Sequence, residues 1–170
     1  MKKTHGLVSK SVVALALLGA LPAAATQTYS GSLCTSVSGF SAPTIFRSGR
    51  LLNQTANGIE VVCPIQRNVS VPSFNEDLSI SVTVMDPHIS ANVCCTGYVA
   101  EADGTTIAYD EACTATGTAD LVNPKVLAIN LPAVFASVNG YLSLRCELPG
   151  QSTTGGVTYS SVLSSFVVTE

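Results

Sequence analysis

The sequence predicts an all-β fold, an antiparallel β-sandwich of about seven or eight strands that is stabilised by disulfide bonds. Two observations predict this class. Short runs rich in β-branched and aromatic residues follow one another, with turn-forming dipeptides between them. The chain also has six cysteines, an even number, behind an N-terminus with the features of an export signal.

The export signal is predicted over residues 1–25. Lysines precede the apolar run Ser11–Leu21, and small residues then offer a cleavage site after Ala25. The apolar run is shorter than a membrane-spanning helix, and no later segment reaches that length. We therefore expect residues 26–170 to form a single domain without a membrane span, located in the periplasm or outside the cell.

Loss of the signal leaves an acidic chain. Residues 26–170 hold five Lys and Arg against 11 Asp and Glu, a formal net charge of −6. A surface that binds phosphate groups needs clustered Lys and Arg. The charge balance therefore argues against nucleic acid or anionic lipid as a partner.

The clearest strand is Leu78–Met85, where apolar residues alternate with Ser and Thr. Turn signals such as Asp103-Gly104 and Asn139-Gly140 separate it from similar runs. A helical turn is predicted over Leu131–Val138. The other predicted strands are Gly58–Ile65, Asn92–Ala100, Thr105–Cys113, Lys125–Leu131, Gly140–Leu148 and Val157–Thr169.

The cysteines are predicted to be structural. They are Cys34, Cys63, Cys94, Cys95, Cys113 and Cys146. The chain has no C-x-x-C motif, and His88 is the one histidine after the signal, so zinc-binding and redox patterns are both missing. We expect disulfide bonds, no metal site and no cofactor.

One hairpin suggests a pairing. If Asp103-Gly104 is a two-residue turn, Cys94 lies opposite Cys113, Tyr98 opposite Tyr109, and Ala100 opposite Ile107. A bulge would place Cys95 in that slot instead.

Whichever of Cys94 and Cys95 pairs with Cys113, the other points to the opposite face of the sheet and needs a distant partner. We favour Cys34 with Cys63 and Cys95 with Cys146, although the sequence leaves the other connectivities open. Each bond would stabilise the fold by roughly 2 to 4 kcal/mol.

No catalytic residue is predicted. A hydrolase that uses His88 with Asp86 is an alternative, but a lone histidine in a polar turn is usually a solvated surface residue. No G-x-S-x-G motif marks a serine nucleophile. The chain has no Trp that could serve as a sugar platform. We therefore expect a protein that is not an enzyme.

Two loop features leave further alternatives. Acidic residues at predicted turns, including Glu76-Asp77 and Asp110-Glu111, could hold calcium, but no EF-hand ligand pattern is present. The sequons at Asn53 and Asn68 would mark surface loops in a glycosylating host. The Lys-rich signal is typical of bacteria, which makes these sequons incidental.

Several short motifs carry a resemblance. They are GSLC (31–34), VVCPIQR (61–67), SVTVMD (81–86), NVCC (92–95) and YLSLRCELP (141–149). Together they resemble a recurrent type of short, secreted, uncharacterised bacterial protein that is common in proteobacteria. The resemblance implies a β-sandwich and similar cysteine placement, but no activity or site residues. The extra pair, Cys113 with Cys94 or Cys95, is a departure from that group.

Subunits of chaperone–usher pili are a second comparison, because they are also exported β-sandwiches, completed by a strand from a partner. The tail of this chain lacks their penultimate aromatic residue. The preferred prediction is a non-enzymatic binding or structural module, whose Ser/Thr-rich strand faces and loops bind a protein, a glycan or an envelope component. A pilus-like subunit and a His88/Asp86 hydrolase are the alternatives.

Overall fold

A computed structural model describes residues 26–37, 39–67, 77–115, 123–132 and 140–169. These residues form two antiparallel β-sheets and a two-stranded ribbon, which confirms the predicted all-β class. The predicted signal peptide, most of the predicted helical turn Leu131–Val138 and the sequon at Asn68 lie outside the described residues.

Seven of the strands contain seven or more residues, and each lies on one of the seven runs predicted from the sequence. The remaining strands are short, and a 3-10 turn, Gly31–Leu33, follows the first of them. The strands are β1 (Thr26–Ser30), β2 (Thr35–Ser36), β3 (Thr44–Ile45), β4 (Leu51–Asn53), β5 (Ile59–Ile65), β6 (Leu78–Met85), β7 (Cys94–Ala100), β8 (Thr106–Cys113), β9 (Lys125–Leu131), β10 (Tyr141–Leu148), β11 (Ser152–Thr154), β12 (Val157–Tyr159) and β13 (Ser161–Thr169).

The first sheet has six strands. Its order is β3-β4-β13-β6-β9. On the edge of β13 that faces away from β6, β4 pairs with the first half of β13 and β1 pairs with the second half. Tyr29 of β1 lies opposite Phe166, and their rings stack with centroids 4.9 Å apart. In this part of the chain, β13 is therefore flanked on both sides by strands of its own molecule.

The second sheet has five strands in the order β2-β5-β10-β7-β8. Apolar side chains from its inner face and from the six-stranded sheet form one buried cluster. The two sheets approach each other closely at Gly97, where a Cβ would stand 3.0 Å from Ile129 Cγ2 and 3.1 Å from Ile80 Cδ1. The two sheets thus pack as a sandwich around a shared core.

The turn of the β7–β8 hairpin differs from the prediction. Glu101 and Thr105 close a three-residue loop, in which Gly104 takes a φ of +90°. Such loops favour glycine at their last position, because other residues rarely adopt positive φ. The prediction of a two-residue turn at Asp103-Gly104 is therefore wrong.

A bulge then restores the predicted register. Ala100 lies opposite Thr106 rather than Ile107, and the pairing shifts between Val99 and Ala100. Beyond this bulge, Tyr98 lies opposite Tyr109 and Cys94 opposite Cys113. The extra loop residue and the extra residue on β8 compensate for each other, so the cysteine register holds although the turn does not.

The closing run Val157–Thr169 is not one strand. Its first residues form β12, which pairs with β11 through a Gly155-Gly156 turn, where both glycines have positive φ. Its remaining residues form β13, which carries a bulge between Leu163 and Ser165. The bulge changes which residues point inward, so that Leu163 and Phe166 are both fully buried.

Candidate functional site

All six cysteines are paired, five of them on strands of the five-stranded sheet and Cys34 just before β2. Cys34 is bonded to Cys63, Cys94 to Cys113 and Cys95 to Cys146. These are the pairs favoured in the sequence analysis. Cys95 and Cys146 lie directly opposite each other on β7 and β10, on the buried face, whereas Cys94–Cys113 lies on the outer face.

Two of the bonds join strands, β7 to β8 and β7 to β10, and the third joins Cys34, the residue just before β2, to β5. The sheet is therefore cross-linked across two of its four strand boundaries and tied at a third by the residue that precedes β2. Such covalent framework bonds are typical of proteins in oxidising compartments outside the cytosol. They also fix the relative positions of side chains on the outer face of this sheet.

Asp86 is a buried carboxylate with a structural set of partners. It is 1% exposed and accepts hydrogen bonds from the main-chain N–H of His88 at 3.0 Å and of Val93 at 3.2 Å. The hydroxyl of Thr114 donates to the same carboxylate. Asp86 thus ties the end of β6 to the start of β7 and the end of β8.

The ring of His88 lies away from these bonds. Its Nε2 is 2.6 Å from the carbonyl oxygen of Gly150. Because a carbonyl can only accept, Nε2 carries a hydrogen and donates it to Gly150. The carboxylate of Asp86 contacts the main chain of His88 rather than its ring, so the structure does not form the orienting pair of a His–Asp hydrolase.

The acidic loop residues are separated. Asp103 accepts from the Thr105 N–H at 2.9 Å, and Asp110 from the Asn130 N–H at 2.8 Å. Hydrogen bonds from Thr105 lower the pKa of Asp103. The bond from the main-chain N–H of Thr105 has the largest effect, and the bond from its side chain has the next largest. Glu76 lies outside the described residues.

One group of three potential metal ligands occurs in the described part of the chain. It consists of Cys94, Glu111 and Cys113. Both sulfurs belong to one disulfide bond, so neither is a thiolate, the form in which cysteine binds metals. Glu111 is engaged with Thr96, whose hydroxyl donates to it at 3.2 Å. This group is therefore a disulfide beside a carboxylate rather than a metal centre.

Three of the five tyrosines in the chain lie on the outer face of the five-stranded sheet. Tyr109 is 68% exposed and Tyr141 is 45% exposed. The ring of Tyr98 is tilted against that of Tyr109, with centroids 6.2 Å apart. The Tyr141 hydroxyl reaches the β7–β8 turn, 3.8 Å from where a Cβ would stand on Gly104. We call Tyr98, Tyr109 and Tyr141 the tyrosine face.

Polar side chains continue this face along the strands. Arg145 forms a two-pronged ion pair with Glu60, through Nε to one carboxylate oxygen and Nη2 to the other. This hydrogen bond is the main reason why the pKa of the Arg145 guanidinium is raised. Thr96 and Glu111 lie in the same row of the sheet as Arg145. The tyrosines thus lie beside paired charges and hydroxyls, not beside an apolar surface.

A cavity of about 440 Å³ lies beyond these residues, at the start of β5 and the end of β10. Its polar lining includes Glu60, His88 and Glu147, and Phe40 supplies an aromatic wall. The wall at Leu148 is fixed by Asn53, whose fully buried side-chain amide donates to the carbonyl oxygens of Leu148 and Pro149 at 3.0 and 2.9 Å. We call this space the His88 cavity.

Neither the tyrosine face nor the His88 cavity is predicted from the sequence. The predicted pairing of Tyr98 with Tyr109 is correct, but the sequence does not show that they point to solvent or that β10 brings Tyr141 beside them. The sequence suggests His88 with Asp86, whereas in the structure the His88 ring contacts the Gly150 carbonyl and lines a cavity together with Glu147. The available signal was the alternation of Tyr141, Ser143, Arg145 and Glu147 with buried leucines along β10.

Comparison with known proteins gives no family. No family model matches the chain, and no curated protein matches its sequence. Among solved structures, the chain is similar to an arabinose-bound GH51 α-L-arabinofuranosidase, with a TM-score of 0.47 and 8% identity. The alignment covers 84% of this chain but 24% of that one, so the chain spans about a quarter of the enzyme's length. A likeness this distant assigns no activity.

Within the ranges that the structure describes, no helix is long and apolar enough to cross a bilayer.

Proposed function

We propose that this protein is an exported, non-enzymatic binding module and that the tyrosine face is its binding surface for a glycan. The observation that carries the proposal is the clustering of Tyr98, Tyr109 and Tyr141 on one solvent-facing side of a cross-linked sheet. The apolar face of a sugar ring packs against an aromatic ring, while its hydroxyls need polar partners at the edge. Ser143, Thr96 and Glu111 are such partners beside these tyrosines.

The rigidity of the sheet supports the same proposal. The Cys94–Cys113 bond joins β7 to β8, the strands of Tyr98 and Tyr109, and Cys95–Cys146 joins β7 to β10, the strand of Tyr141. All three rings therefore stand on strands that are covalently connected. A preorganised surface loses less conformational entropy on binding than a mobile one.

The experiment is a screen of neutral and acidic oligosaccharides on a glycan array, followed by calorimetric titration of the best ligand. Tyr109→Ala removes the most exposed ring of the face and is expected to weaken binding by about tenfold, because a buried aromatic contact stabilises a complex by about 1 kcal/mol or more. Tyr159→Ala, in the β11–β12 ribbon, is the matched control and should bind like the wild type.

If the wild type instead binds a protein from the envelope and Tyr109→Ala does not, the ligand of the tyrosine face is a protein and not a glycan. Equal binding of a glycan by the wild type and Tyr109→Ala would contradict the assignment of the surface. Turnover of an oligosaccharide by the wild type would contradict the non-enzymatic role.

A further inference from the structure

The His88 cavity carries an unbalanced negative charge. Glu60 and Glu147 lie directly opposite each other on β5 and β10, where side chains are neighbours. Glu60 is 8% exposed and is neutralised by its two-pronged pair with Arg145. Glu147 is exposed, and its side chain makes no hydrogen bond or ion pair with any described residue. One carboxylate at the cavity is therefore without a counter-ion.

Arg145 does not fill that role. Its guanidinium is committed to both oxygens of Glu60 by hydrogen bonds, and Glu147 is the weakest of the influences that raise the Arg145 pKa. Arg145 also does not line the cavity. A ligand that brings a positive charge to Glu147 would thus complete a pair that the protein leaves open.

The remaining walls suit an ammonium group. The Phe40 ring is 45% exposed and lines the cavity, and an aromatic ring attracts a cation placed over its face. In the Nε2–H tautomer of the His88 ring, which donates to Gly150, Nδ1 is an acceptor for an N–H donor. An anion would meet the carboxylate of Glu147, and a purely apolar ligand would desolvate Glu147 without replacing its water.

We infer that the His88 cavity binds a small organic ammonium ion, with Glu147 as its ion-pair partner and Phe40 as its aromatic wall. The volume of about 440 Å³ lies within the range of small-molecule sites. This site is separate from the tyrosine face, so the failure of either proposal leaves the other standing.

The test is a titration of the full protein with three six-carbon probes, followed by amide chemical-shift changes in two-dimensional NMR. The probes are n-hexylammonium, the neutral 1-hexanol and hexanoate. We expect hexylammonium to shift amides of residues 58–60 and 147–150, and to bind about tenfold or more tightly than either of the other probes.

Three variants locate the effect. Glu147→Gln should weaken hexylammonium binding about tenfold, to the level of hexanol, because it removes the charge and keeps the shape. Phe40→Leu should weaken it severalfold by removing the ring face. Asp103→Asn, which neutralises an exposed carboxylate in the β7–β8 turn outside the cavity, is the control and should leave hexylammonium binding unchanged.

Some results would overturn the inference. They are equal binding of hexanol and hexylammonium, no shift with hexylammonium, or unchanged binding in Glu147→Gln. Because Glu147 is exposed, Glu147→Gln is expected to fold, and its amide spectrum in the absence of probe verifies this.

Discussion

Asp86 joins three segments of chain through one buried carboxylate. In Asp86→Ala, the main-chain N–H of His88 loses its acceptor and the hydroxyl of Thr114 loses a charged partner. We expect a loss of about 3 kcal/mol in the free energy of unfolding, because buried hydrogen bonds to a charged group contribute about 1.5 to 3 kcal/mol each. Urea unfolding followed by circular dichroism measures this.

The control is Asp103→Ala, which removes an exposed carboxylate from a turn. The midpoint of unfolding should fall much less in this variant than in Asp86→Ala. Similar losses in the two variants would show that Asp86 does not hold the three segments together.

The lowered pKa of Asp103 predicts that the stability of the protein depends on pH. Its folded-state pKa is lowered by hydrogen bonds from Thr105, so the ionised form is favoured in the folded protein. Its stabilising contribution is present above the ordinary aspartate value of 3.8, and is lost as the pH falls through the lower folded-state value. In an NMR titration, the carboxyl midpoint should lie below 3.8 in the folded protein.

Asp103→Asn is the comparison for that titration. Asparagine keeps an acceptor for the Thr105 N–H but does not titrate, so this variant should lose less stability than the wild type on acidification below pH 3.8. An Asp103 midpoint at or above 3.8 would contradict the hydrogen-bonding account.

Asn53 shows why a sequence motif can mislead at the residue scale. Asn53-Gln54-Thr55 matches a sequon, which would mark a surface loop. In the structure, the side chain is fully buried, donates to three carbonyl oxygens and accepts from Thr55. The amide nitrogen is therefore unavailable to a glycan, and burial of this kind is set by distant strands that the motif does not contain.

At the scale of elements, the disulfide bonds make unequal contributions. The Cys95–Cys146 bond closes 51 residues and Cys94–Cys113 closes 19. Chain-entropy arguments give about 4 kcal/mol for the longer loop and about 3 kcal/mol for the shorter. Replacing Cys95 and Cys146 together by alanine should therefore lower the unfolding midpoint more than replacing Cys94 and Cys113.

Differential scanning calorimetry of the two double variants tests this order. Neither double variant leaves an unpaired thiol, so disulfide exchange does not complicate the comparison. A larger loss on removal of the outer bond Cys94–Cys113 would contradict the order. Peptide mapping without reduction is the direct test of the three pairs.

The strands themselves could be predicted because each carries its own alternation and turn residues. The β7–β8 turn could not be predicted. The extra residue of its three-residue loop shifts the strand register by one position, and the extra residue in the β8 bulge shifts it back. The sequence shows only that Cys94 and Cys113 are compatible with pairing. Likewise, the run Val157–Thr169 has continuous β propensity, but it divides at Ser160, because its first residues pair with β11 and its remaining residues join the six-stranded sheet.

At the scale of the whole molecule, the binding surfaces depend on strand order, which local pattern does not encode. Tyr98 and Tyr109 are near in sequence and could be paired from one hairpin. Tyr141 joins them only because β10 lies beside β7, and Glu147 meets Glu60 only because β10 lies beside β5. Contacts between such distant segments could not be derived from spacing or composition.

The assembled molecule separates its two faces. The inner face of the five-stranded sheet is apolar and holds the Cys95–Cys146 bond, and the outer face presents aromatic rings, hydroxyls and paired charges. This division explains the adjacent cysteines, which point in opposite directions along one strand. One of them cross-links the core, and the other anchors the strands that carry Tyr98 and Tyr109.

Chemical-shift mapping with the best oligosaccharide from the array tests whether the tyrosine face is the binding surface. We expect the amide shifts to concentrate on residues 96–100, 106–111 and 141–145, and to disappear in Tyr109→Ala. Shifts confined to the β11–β12 ribbon or to the six-stranded sheet would contradict the claim, as would the same shifts in Tyr109→Ala.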